Sequence, residues 1–257
     1  MDGSTRPFWL TAFIDYPAAE FDRGREFWTR VTGWPESATR GDHDEFVSLL
    51  PPDGADYLRL QRLGGGRTRL HLDLHVPEPE AAALLAQERG ASLARQVGPG
   101  LIVMASPAGF EFCLVRQSRG GRPHPARWPD GHRSRVSQVC LDIPEPVFES
   151  EVAFWAATLG CQARRSPAHP EFTRLRVPDD FPFEILAQRL LVSREVGAHL
   201  DLGSDDRPAE VERLQREGAV VRAVREAWTV LEAPGGLAFC VLDRSPWSPG
   251  AEPGPAS

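Results

Sequence analysis

Residues 70–76 read Leu-His-Leu-Asp-Leu-His-Val, an alternation that sets three ionisable side chains among aliphatic ones. In an extended chain successive side chains point to opposite faces, so His71, Asp73 and His75 share one side and the four aliphatic residues the other. An imidazole titrates near neutrality, and a carboxylate two residues on can orient it, which suits proton transfer or recognition of a polar ligand. The same face could equally be the wet side of an antiparallel sheet. Recurrence favours a role: residues 198–202 read Ala-His-Leu-Asp-Leu, repeating the pattern with His199 and Asp201. A further run, Phe-Glu-Phe-Cys at 110–113, places Glu111 beside Cys113 on one face and two phenylalanines on the other.

These strands sit in a duplicated chain. Phe21, Phe27-Trp28 and Gly33 recur as Phe148, Phe154-Trp155 and Gly160 at a constant offset of 127 residues. The same offset carries Gln61-Arg62 onto Gln188-Arg189 and Phe112-Cys113 onto Phe239-Cys240, while His71 maps onto His199 with one residue of drift. Internal similarity over that length predicts one fold present twice. Each copy divides again into units of a strand, a helix and further strands. In the first copy strands are expected at 7–16, 45–50, 56–63, 69–76, 92–97, 101–105 and 110–115, with helices at 18–32 and 78–89. In the second, strands are expected at 136–143, 172–177, 183–189, 199–202, 220–224, 228–232 and 237–242, with helices at 146–159 and 208–217. The helical Phe-Trp pairs read as core packed on the sheet, and Gly33 as a C-cap. The domains so defined are 1–118 and 136–246, joined by a Gly, Pro and Arg-rich linker at 119–135 and followed by a disordered tail at 247–257.

Composition narrows the function. A net charge of −7 argues against nucleic acid or an anionic membrane as partner. No window is long and apolar enough to span a bilayer and the N-terminus lacks a secretory h-region, so a cytoplasmic protein is expected. The chain has no lysine and no asparagine, which removes Schiff-base chemistry and a P-loop lysine. Its four cysteines form no CxxC pair and lie in or beside apolar runs, as buried free thiols do.

The strand, the Phe-Trp helix closed by glycine, and the late hairpins Ser-Pro-Ala-Gly-Phe-Glu-Phe-Cys-Leu-Val and Ala-Pro-Gly-Gly-Leu-Ala-Phe-Cys-Val-Leu resemble the vicinal oxygen chelate superfamily. That group includes glyoxalase I, bleomycin-resistance proteins and extradiol dioxygenases, and the chain is most similar to the glyoxalase-like domains common in actinobacteria. The resemblance implies an α+β fold of tandem βαβββ modules, each domain a curled, mostly antiparallel sheet around a cavity with helices outside. It also implies ligand positions on the first and last strands of the modules. Carried onto this sequence they fall on Thr11, Gln61, His71 and Cys113, and on Gln138, Gln188, His199 and Cys240. One histidine per set, with threonine, glutamine and a thiol, is a poor set for the divalent metal of such sites, so no metal cofactor is expected.

Without a metal, His71 and Glu111 are the acid-base candidates of the first half, and packing or a solvated edge position remain open for each. By alternation Phe13, Tyr57 and Arg59 join Thr11, Gln61, Asp73 and Cys113 as ligand-binding candidates. Gln138, Glu184, Gln188, His199, Asp201 and Cys240 are their counterparts in the second half. Cys113 and Cys240 have no basic sequence neighbour to activate them and read as inert thiols. His43, His124, His132 and His169 lie in loops or the linker and are assigned no role. Three functions stay open: sequestering a small organic molecule, a lyase, isomerase or hydrolase using His71 and Glu111, and a scaffold with degenerate cavities. The partner expected is a small molecule, with the protein a monomer or homodimer.

Overall fold

The computed structural model describes residues 5–116, 120–192 and 194–247. The first residue of the expected linker, Arg119, and all but the first residue of the expected tail lie outside them.

The first half builds a seven-stranded sheet. Its strands are β1 (Trp9–Pro17), β2 (Phe46–Ser48), β3 (Leu58–Leu63), β4 (Arg69–His75), β5 (Ser92–Gly98), β6 (Leu101–Ala105) and β7 (Glu111–Val115). They lie in the order β2-β3-β1-β4-β7-β6-β5, and helices α1 (Ala18–Thr32) and α2 (Pro79–Glu88) interrupt them in sequence. In the second half β8 (Ala126–Arg127), β9 (Arg133–Pro144), α3 (Phe148–Leu159), β10 (Gln162–Arg165), β11 (Phe172–Arg176) and β12 (Glu184–Leu190) come first. They are followed by β13 (Gly197–Ser204), α4 (Arg207–Arg216), β14 (Val220–Val224), β15 (Trp228–Glu232) and β16 (Ala238–Asp243). These strands form the order β10-β11-β12-β9-β13-β16-β15-β14, with β8 on β9.

The fold is α+β, as expected, but each sheet is mixed. β4 pairs with β7 in parallel, and β13 with β16, while the hairpins beside them are antiparallel. Neither sheet closes into a barrel. Two strands have no counterpart in the hydropathy pattern. β10 reads Gln-Ala-Arg-Arg and is exposed at every residue, so no apolar alternation marks it, and its pairing to β11 makes it a strand. β8 lies inside the segment expected to link the halves and pairs with Ser134 and Arg133 of β9.

Contacts divide the chain into two compact units. One holds Met1–Phe13, Leu70–Gly121 and Cys140–Ala198; the other holds Ile14–Arg69, Arg122–Val139 and His199–Ser257. Each unit has a helix bearing the Phe-Trp pair, and in each the buried indole must place its N–H on an acceptor.

In the first unit Phe154 and Trp155 of α3 pack on Phe112 with ring centroids 5.9 and 5.3 Å apart. Trp155 Nε1 donates to Glu151 Oε1 at 2.9 Å, one turn back on the same helix. The other oxygen of Glu151 accepts the Ala108 N–H at 2.9 Å, which docks the helix on the turn between β6 and β7. Burial raises the Glu151 carboxyl above the usual glutamate value, against the pull of these donors.

In the second unit Phe27 and Trp28 of α1 pack on Phe239 at 5.8 and 5.5 Å. Here Trp28 Nε1 donates to the Tyr16 hydroxyl at 2.9 Å. The Tyr16 ring fills the space that a helix side chain would need. A Cβ at Gly24 would lie 2.4 Å from it, and one at Gly235 2.5 Å from it.

Gly24→Ala favours an isolated helix by about 1 kcal/mol, but here it is expected to destabilise the fold by about 1–3 kcal/mol through overpacking. A urea titration reads the change, and adding Tyr16→Ala should return the alanine advantage. Glu151 gives a pH dependence of defined sign. Its folded pKa is raised from 4.5, so its contribution is present below the unfolded value and is lost as pH rises through the folded one. The stability of the wild type relative to Glu151→Gln should therefore fall as pH rises above about 4.5.

Candidate functional site

The parallel ladder of β4 on β7 sets Asp73 level with Cys113 and Leu72 level with Phe112. Neighbours across a ladder point to the same face, as do residues two apart along a strand. His71, Asp73 and Cys113 therefore converge, each offering a ligand atom within 4.8 Å of the others. All three are buried. His71 Nε2 lies 3.8 Å from Asp73 Oδ1, and the Phe13 ring stacks on the imidazole at 4.6 Å and an interplanar angle of 10°. Continuing the register back one residue brings half-buried Glu111 level with His71. On the adjoining part of this face Val103, opposite Cys113 in the antiparallel pair, joins Val115 and Leu101 in a small hydrophobic cluster around the thiol.

His75 shares the parity of His71 but has a different role. Its Nε2 is 2.8 Å from Thr11 Oγ1, and Phe8 meets the ring edge-on at 6.4 Å. Thr11, a candidate ligand by resemblance, is fully buried and spends its hydroxyl on this histidine. Of the other candidates in this unit, Glu184 is buried 3.8 Å from Arg174 Nε, and Gln188 accepts from the Cys140 thiol at 3.9 Å.

The second unit repeats the arrangement. Asp201 is level with Cys240 on the parallel pair of β13 and β16, and His199, Asp201 and Cys240 again fall within 4.8 Å of one another. His199 Nε2 is 3.4 Å from Asp201 Oδ1. Gln138 Nε2 donates to Asp201 Oδ2 at 2.5 Å, whereas the buried Oδ1 makes no hydrogen bond. Burial pushes the Cys240 thiol up to about 11, the Asp201 charge adds to that, and His199 pulls it back. Tyr57, Arg59 and Gln61 also belong to this unit. The Tyr57 hydroxyl donates to the Val136 carbonyl at 2.7 Å from a fully buried ring, and burial pushes it up to about 12. Arg59 Nε donates to Asp56 Oδ2 at 2.8 Å, and Gln61 stands half-buried opposite Phe46.

Sequence reasoning missed a second ionic cluster. His132, read as a linker residue without a role, is buried with Nε2 2.8 Å from Glu210 Oε2. Ser134 and Arg213 also donate to Glu210, and the Arg213 guanidinium lies 3.5 Å over the Trp128 ring. The signal was the pair Glu210 and Arg213 three apart on α4, which reads as an ordinary helix surface until β8 and β9 cover it. His124 likewise pairs with Asp53.

The glyoxalase-like domain family model matches residues 11–115 and 138–242, so the chain belongs to that family and carries two copies of the domain. Among solved structures it is similar to a Mn(II)-bound glyoxalase from Novosphingobium aromaticivorans, with 17% identity, TM-score 0.65, and 92% of this chain and 82% of that one covered. It is also similar to the 2,3-dioxygenase LapB from Pseudomonas sp. KL28, with 13% identity, TM-score 0.63, and 94% and 93% covered. A search of curated proteins gives no match. No helix among the described residues is long and apolar enough to cross a membrane.

The positions that the sequence resemblance marks for ligands hold Thr11, Gln61, His71 and Cys113 in one half and Gln138, Gln188, His199 and Cys240 in the other. An oxophilic ion such as manganese is suited by carboxylate, carbonyl and water, and a set dominated by neutral amide or hydroxyl and thiol does not fit it. Thr11 and Gln138 are moreover committed to His75 and Asp201.

The Gln138 contact can be weighed directly. Gln138→Leu removes the donor to a buried carboxylate and is expected to cost about 1–3 kcal/mol, read as a lower denaturation midpoint. Thr229→Val, a buried position on β15, serves as a control for polar-to-apolar exchange.

Proposed function

We propose that the first unit binds a small, mainly apolar organic molecule against the face that carries His71, Asp73, Glu111 and Cys113. The observation that supports this is the company those residues keep. Leu101, Val103 and Val115 form an apolar patch around Cys113, and Phe13 backs the imidazole. A few convergent polar groups set in an apolar surface are the usual make-up of a small-molecule site. His71 supplies a hydrogen bond that fixes the ligand's polar atom, and Asp73 orients the ring. This reading needs no metal in the first unit, and it makes the protein a binder that sequesters its ligand.

A second reading, proton transfer beside a carbonyl, is favoured by the placement of Glu111 level with His71. An imidazole and a carboxylate facing one bound molecule can act as acid and base.

A thermal-shift panel of small aromatic and dicarbonyl compounds tests both readings. At least one compound should raise the melting temperature, and His71→Ala should weaken its binding by about tenfold or more, roughly 1.4 kcal/mol. Glu111→Gln separates the readings: binding retained with no turnover by the wild type supports sequestration, and turnover lost while binding persists supports proton transfer. A panel without hits, or hits indifferent to His71→Ala, would remove the proposal.

A further inference from the structure

Strands β10 to β12 carry five arginines and one acid, Glu184, in a chain whose net charge is −7. The two faces of this patch handle that charge differently. Arg165 and Arg189 share the side of Thr173 and Ala187 that meets α3. There Glu149 accepts a hydrogen bond from each of them, and the Arg189 guanidinium lies 4.3 Å over the Phe148 ring. Arg164, Arg174 and Arg176 occupy the other side by alternation. Arg164 stands level with Arg174 across the antiparallel pair, and like charges placed directly opposite destabilise a sheet. Glu184 Oε2, 3.8 Å from Arg174 Nε, is the one acid these strands set against three guanidinium groups. Among the described residues no side chain pairs with Arg164 or Arg176, which are both exposed.

We infer that this face binds a small organic dianion, with Arg164, Arg174 and Arg176 on its charged group and Phe172 against its carbon frame. Phe172 precedes Arg174 by two residues on the same side and is half-buried, so an aromatic ring adjoins the cationic patch. None of the four is among the positions that the sequence resemblance marks for ligands. The site lies on strands other than those that carry His71 and Glu111, and it does not rest on the apolar ligand proposed there.

Spacing and charge set the class of ligand. Opposed residues of an antiparallel pair have Cβ atoms about 5 Å apart, and alternate residues of one strand lie about 7 Å apart, so three long side chains can close on one anionic group. Each guanidinium offers its donors in a planar fork that matches the oxygens of a carboxylate or phosphate, and it stays charged at every working pH. Three cations against Glu184 leave a face that a dianion neutralises and a monoanion does not. Phosphate monoesters and aromatic dicarboxylates share this chemistry, and the ring of Phe172 favours those that carry an aromatic group.

Isothermal titration of the full chain at low salt with phenyl phosphate and with phthalate tests the site. At least one of the two should bind saturably with a dissociation constant of about 1 mM or below. Binding of phenyl phosphate alone assigns the site to phosphate esters, and binding of phthalate alone to aromatic dicarboxylates. Arg164→Gln and Arg176→Gln, both at exposed positions, should each weaken binding about tenfold. Phe172→Leu should remove the advantage of the aromatic probe over its ring-free counterpart, inorganic phosphate or maleate. Arg165→Gln deletes the same charge one residue away on the helix side and should leave the affinity unchanged. His71→Ala should also leave it unchanged, which keeps this result separate from the ligand proposed for the other strands. No saturable binding of either probe by the wild type, equal weakening by Arg164→Gln and Arg165→Gln, or binding lost in His71→Ala overturns the inference.

Discussion

Parallel pairing of the first and last strands of a module is the constraint on which both sites depend. Side chains level with one another across such a ladder share a face, so Asp73 meets Cys113 and Asp201 meets Cys240. A slip of one residue would turn Phe112 or Phe239 onto the polar face and push the cysteine under the helices. That slip is opposed by the aromatic contacts of the same strands, since Phe112 is held by Phe154 and Trp155, and Phe239 by Phe27 and Trp28. The helix-to-sheet core thus fixes the register, and the register assembles the histidine, carboxylate and thiol. Burying those groups opposes folding, and the opposite face of the same strands supplies the compensation.

The buried indoles show how the units diverged without losing the fold. The offset that maps Trp28 onto Trp155 maps Gly24 onto Glu151 and Gly235 onto Ala108. In one unit the acceptor for the indole comes from the strand, as Tyr16, and its ring forces glycine on the helix and on the turn. In the other the acceptor comes from the helix, as Glu151, and the turn residue can carry a Cβ because its N–H is what the carboxylate binds. Three positions changed together because one polar hydrogen has to be satisfied in a space that admits one occupant.

Much of this was legible in the sequence, and the reason is periodicity. Alternation in residues 70–76 and 110–115 gave the faces on which His71, Asp73, Glu111 and Cys113 lie, and the helical Phe-Trp pairs gave the core. The offset of 127 gave the duplication. Partnerships across strands were not legible, because alternation assigns a face but not a neighbour. His75 has the parity of His71 yet pairs with Thr11, and Gln138 holds Asp201. Nor was β10, whose four exposed residues carry no apolar period, or the burial of His132, which depends on a two-residue strand inside an apparent linker.

The duplication leaves the surroundings of the two trios free to differ. Phe13 maps by the same offset onto Cys140, so the ring that stacks on His71 has no aromatic counterpart in the second half. In the first unit an aromatic plane lies against the imidazole and valines adjoin the thiol, which makes the surroundings of that trio apolar. In the second unit an amide is instead held on one carboxylate oxygen, Gln138 on Asp201, beside the imidazole of His199 and the thiol of Cys240. The same backbone positions and nearly the same residue types therefore sit in different surroundings in the two units. What separates them is the residues adjoining each trio.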